Sequence, residues 1–168
     1  MIAFLLRPIL SPTRFAPRLP ISLLTLACAV MISSAAHAAS FDESVPSPEA
    51  LAQLEQRASL AGPREQAWLY TELVHSMTEK AGHELSDGDS TAAQATLRQI
   101  NHYAHLIQTS LERNTHQLKN AEMLMQHTSW RLAQCMHFAG ADDKPQVQAT
   151  LRELNQVNDA LLTQVFQH

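Results

Sequence analysis

Between Ser90 and Ala139 the chain contains neither proline nor glycine, the two residues that most readily stop a helix. Within that run apolar residues recur at every seventh position: Leu97, Ala104, Leu111, Leu118, Met125 and Leu132. A second row falls between them at Ala93, Ile100, Ile107, Asn114, Ala121, Thr128 and Cys135. Two such rows make one apolar stripe on an α-helix. The pattern predicts a single helix over residues 90–138, roughly 70 Å long at helical rise. Its core seam is Leu97, Ile100, Ala104, Ile107, Leu111, Leu118, Met125 and Leu132.

Start and stop signals place three more helices. Ser47 is a capping residue with Pro48 at the first helical position, which opens a helix over about 48–61 with Leu51, Leu54, Ala58 and Ala61 on one side. Gly62-Pro63 ends it and starts a second helix, about 63–86, whose inner face is Tyr70, Leu73, Val74, Met77, Ala81 and Leu85. Asp87-Gly88-Asp89 is a turn, and Pro145 begins a last helix over about 144–166. The expected fold is all-α: helical hairpins built on one long central helix, an elongated or coiled-coil-like bundle. Two helices then lie together at one end with no third partner. Either the long helix bends near Arg113-Asn114-Thr115 and closes a four-helix bundle, or two chains pair. Unbroken heptad phase favours the straight form and a homodimer.

Residues 1–38 stand outside that fold. Arg7, Arg14 and Arg18 precede an apolar segment from Ile21 to Ala36, and Ala36-His37-Ala38 has the small residues of a signal-peptidase site. Cleavage before Ala39 leaves a flexible tether over 39–47 and a single helical domain over 48–168. Leu24-Thr25-Leu26-Ala27-Cys28 is similar to a lipoprotein box, which would instead make Cys28 the lipidated first residue. Export to the periplasm or the medium is the expectation, with no membrane span after signal cleavage. Removing the leader takes three of the 12 Lys and Arg and none of the 16 Asp and Glu, so nine cations face 16 anions and the net charge is −7. Such a surface disfavours nucleic acid and anionic lipid.

Candidate chemistry is sparse. His105, His116 and His127 are eleven apart, about 16 Å along one helix, so they form a solvated stripe rather than one metal site. His102 and His105 are three apart, a chelating distance, and His75 on the preceding helix is the candidate third ligand for zinc, although its side points outward. Apart from zinc no cofactor is expected. Cys135 lies in the seam, where a thiol is buried and inert. With no glycine-rich phosphate loop and no serine elbow, the chain reads as a non-enzyme. Met123 and Trp130 are seven apart on the side opposite the seam. They are either covered by the first or last helix or form an interaction face for another chain.

Ala81, Gly88, Ala93, Leu97 and Ile100 reproduce the small-and-large spacing of a tetratricopeptide hairpin, and this segment resembles that peptide-binding module. Lys80 and Glu84 stand where that family has leucine and tyrosine, and no second copy follows at its period. Leu162-Thr163-Gln164-Val165-Phe166 begins like the Leu-Thr-x-x-Gln signature of periplasmic helical metal sensors and stress chaperones, with Phe166 in place of glutamine. The segments 63–75 and 119–132 resemble exported all-helical bacterial proteins that carry no known activity. These readings converge on an exported, self-associating helical scaffold that acts through protein–protein contacts, with itself or an unidentified periplasmic protein. The alternatives are a metal-binding protein using surface histidines and a holdase-like chaperone. Intact-mass analysis of the secreted chain should give an N-terminus at Ala39; a lipidated Cys28 would replace the expected mass.

Overall fold

The hydrophobic rows along the chain become five helices and no strand among the residues that the computed structural model describes, 45–111 and 117–167. They are α1 (Pro48–Leu60), α2 (Pro63–Ser86), α3 (Ser90–Ser110), α4 (Leu118–Cys135) and α5 (Lys144–Gln167). The leader, residues 39–44 of the tether, His116 and Arg113-Asn114-Thr115 lie outside the described residues.

Local signals set most of the ends. Ser47 accepts the Ala50 amide at 3.2 Å to cap α1, and Asp89 accepts the Ala92 amide at 3.0 Å to cap α3. Gly88, at φ +76°, takes the left-handed turn after α2 that a side chain would resist.

The predicted helix over 90–138 is two helices. α3 closes at Ser110, and α4 starts after Gln117, whose backbone is left-handed at φ 59° with no glycine to ease it. That conformation costs about 1–2 kcal/mol, which roughly 40–80 Å² of apolar burial offsets. One aromatic side chain covers more than that. The cause of the break is therefore packing: a straight rod leaves half its seam short of partners, whereas a chain that turns back closes a bundle. In the bundle all eight seam residues are buried, along with Ala93, Ala121, Thr128 and Cys135.

Side-chain pairs give the topology. Tyr70 stacks on Tyr103 and Lys80 reaches Thr96, so α2 and α3 are antiparallel. His75 meets Thr128 and Glu79 meets Arg131, so α2 and α4 run parallel. Ser90 and Gln94 bond Asp143, and Gln146 bonds the Gln94 carbonyl, which joins the starts of α3 and α5. α2 packs on α3 and α4, and α5 packs on the same two, leaving α3 and α4 on the diagonal. α1 lies against α2. The open two-helix end expected from the sequence is absent from these residues.

The second hairpin repeats the first. Gln94-Ala-Thr-Leu-Arg98 in α3 recurs 54 residues later as Gln148-Ala-Thr-Leu-Arg152 in α5, followed in both by an asparagine, Asn101 and Asn155. The burial pattern recurs with the same step. Ala93 pairs with Val147, Thr96 with Thr150, Ile100 with Leu154, Tyr103 with Val157 and Ile107 with Leu161, all buried. In α2 and α4, Ala67 pairs with Ala121, Val74 with Thr128, Thr78 with Leu132 and Ala81 with Cys135, again all buried.

Between the two hairpins lies a buried ion pair. Arg131 donates from Nε to Glu79 Oε1 at 2.8 Å and from its Nη2 to Oε2 at 2.5 Å, with both residues under 10% exposed. Two parallel bonds fix the register of α2 on α4. Arg131→Met should lower stability by about 3–5 kcal/mol in urea unfolding, because Glu79 is left buried and unpaired. Glu79→Leu/Arg131→Met should recover most of that loss.

Candidate functional site

The residues with chemical potential gather where α2 meets α4. His75 is half-buried there, and its Nδ1 lies 3.0 Å from Thr128 Oγ1. The Thr128 hydroxyl donates to the Leu124 carbonyl at 2.7 Å, so Nδ1 is the donor in the histidine–threonine bond, which sets the tautomer. The His75 ring lies 5.6 Å from that of His127, and His127 stacks on Trp130 at 5.9 Å. An aromatic chain thus runs from the α2–α4 seam outward to the surface of α4.

This placement corrects the outward orientation expected for His75, whose helix has partners on more than one side. His75 reaches α4, whereas His102 and His105 are exposed on α3. The His102 ring sits edge-on to its neighbour Tyr103 at 5.2 Å. The three candidate zinc ligands are therefore not brought together, and among the described residues no three His, Cys, Asp or Glu side chains are grouped to hold a metal ion. The histidine row is also divided, with His105 on α3 and His127 on α4.

Met123 and Trp130 are 56% and 53% exposed, so neither α1 nor α5 covers them. The repeat sharpens the point. Met123 occupies the position that the first hairpin buries as Leu69, and Trp130 the position of half-buried Ser76. The second hairpin thus shows two large apolar groups where the first shows none. Near the start of α4 an open groove of about 470 Å³ is lined by Arg57, Leu60 and Ala61 beside α2's Glu65, Trp68 and Leu69, with Gln117 on the α4 side. Trp68 and His75 are seven apart on α2, hence groove and aromatic chain share one side of that helix. Burial raises the Glu72 carboxyl above the usual carboxylate range, while Arg57 opposes the shift.

Two buried polar groups off this surface are structural. Tyr103 donates its hydroxyl to Glu55 at 2.6 Å, tying α1 to α3, and burial, then the Glu55 charge, holds its phenol protonated. Burial, with the Glu79 charge beside it, pushes the Cys135 thiol up to about 12. The sequence reading missed Glu79, Arg131 and Asp143 as partners between hairpins. Apolar spacing gives no sign of them, since it records which face is buried and not which polar group is met on another helix.

Among the described residues no helix is long and apolar enough to cross a membrane. Comparison with known proteins gives no match: no family model fits the chain, and no curated protein and no solved structure matches it. Cys135 should resist a thiol reagent at pH 8 in the native state and react at once in denaturant, since thiolate is the reactive form; fast native labelling would contradict the burial.

Proposed function

We propose that the protein is an exported, non-enzymatic helical scaffold that binds another protein on the surface formed by α2 and α4, with Met123 and Trp130 as its anchors. The observation that carries this reading is the exposure of both side chains, with Trp130 on a packed support: His127 stacks on Trp130, and His75, bonded to Thr128, backs His127. Holding a large side chain in place before binding lowers the ordering cost of association, and tryptophan is enriched among residues that dominate binding energy. The groove on the same side of α2 as His75 adds apolar wall from Leu60 and Trp68, with Arg57 and Glu65 to orient a partner. A net charge of −7 on the chain after the leader suits a protein partner better than a phosphate backbone.

The test is site-specific photo-crosslinking in the producing cell. Crosslinkers at positions 123 and 130 should give one discrete adduct that crosslinkers at exposed Arg98 and Arg152 do not. Met123→Ser/Trp130→Ser should weaken that complex about 30-fold or more while leaving thermal unfolding within a few degrees. Equal labelling at all four positions, or full binding by the double variant, would remove the assignment.

A further inference from the structure

The contacts between hairpins hold whether both hairpins come from one chain or from two. Glu79–Arg131, His75–Thr128, Ser90–Asp143 and Gln146 to the Gln94 carbonyl all join α2–α3 to α4–α5. α3 and α4, the two helices that the junction links, do not pack on each other. Separating the hairpins of one chain and re-pairing each with the complementary hairpin of a second copy therefore preserves every one of these contacts.

The junction itself favours exchange. Gln117, just before α4, sits at φ 59°, a strained backbone for a residue with a side chain. The sequence Leu111-Glu-Arg-Asn-Thr-His-Gln117 supplies no glycine to ease the turn and no proline to enforce it. The seven-residue row passes from Leu111 to Leu118 in phase, as a helix running through the junction would require. We infer that the chain forms a domain-swapped dimer in which α2–α3 of each copy packs on α4–α5 of the other, and Gln117 returns to a right-handed backbone. Such exchange is a low-cost route to a dimer, because the interface already exists and only the hinge changes. The inference goes beyond the Met123/Trp130 reading and does not depend on it. It names a second copy as occupant of the hairpin interface.

The experiment uses the mature chain, unfolded in denaturant and refolded at several hundred micromolar, with light scattering for mass. A stable dimer is expected. In a Cys135→Ser chain carrying His75→Cys/Thr128→Cys, oxidation should then link two chains, giving a covalent dimer on a non-reducing denaturing gel. Gln117→Gly in the otherwise native chain relieves the left-handed strain of the monomer in both copies, and should weaken dimerisation by about tenfold or more. A particle that stays monomeric after concentrated refolding overturns the proposal. So does a dimer whose crosslinks form only within each chain. Unchanged dimerisation of Gln117→Gly overturns the hinge that drives it.

Discussion

Taking the Glu79 carboxylate and the Arg131 guanidinium out of water is unfavourable unless each finds the other. That requirement organises the whole bundle. The two groups stand on different hairpins, so the bond between them spans the α2–α4 boundary, and the bidentate geometry leaves little freedom in how α2 lies along α4. Apolar side chains can be exchanged when volume is kept; the two ends of a buried fork on a carboxylate cannot. Once this register is set, His75 arrives at Thr128 one turn earlier. At the far end of the hairpins, Asp143 collects both Ser90 and Gln94.

The heptad rows were legible because burial imposes them, and each residue assigned to the seam lies in the core. What a heptad cannot encode is direction. Leu111 and Leu118 occupy successive seam positions equally well on one rod or on two helices of a bundle, since the period records which face is apolar and not where the chain goes next. Turning points are usually announced by glycine or proline, and here Gln117 takes the left-handed conformation without either. Packing overrode local propensity between α3 and α4, where the heptad phase favoured a straight rod and left a bend near Arg113-Asn114-Thr115, closing a four-helix bundle, as the alternative.

His75 and the repeat were lost for different reasons. A helical wheel with one apolar side places His75 in solvent, but α2 has α1, α3 and α4 as neighbours, so polar positions on its flanks become contact positions. The repeat has a period of 54 residues, longer than the tetratricopeptide period of about 34, and its longest run of identity is Gln-Ala-Thr-Leu-Arg. At most other positions the copies share burial rather than letters: Ala81 answers Cys135, and Thr78 answers Leu132. Interior volume and apolarity are constrained at such positions, whereas residue identity is free to differ.

Divergence between the copies therefore points to where their surroundings differ. Thr96 accepts a bond from Lys80, while its counterpart Thr150, equally buried, has a hydroxyl with no partner. The reason is visible one helix away, where Gln134 replaces the lysine. An unsatisfied buried hydroxyl costs about 1–3 kcal/mol, a cost that the second hairpin carries at this position and the first does not. The second hairpin is tied to the first by Glu79 and by the Ser90–Asp143 bond. The same hairpin presents Met123 and Trp130 where the first has Leu69 and Ser76. A copy that relies on its neighbour for burial and leaves its outer side open differs from the first as a contact surface differs from a core.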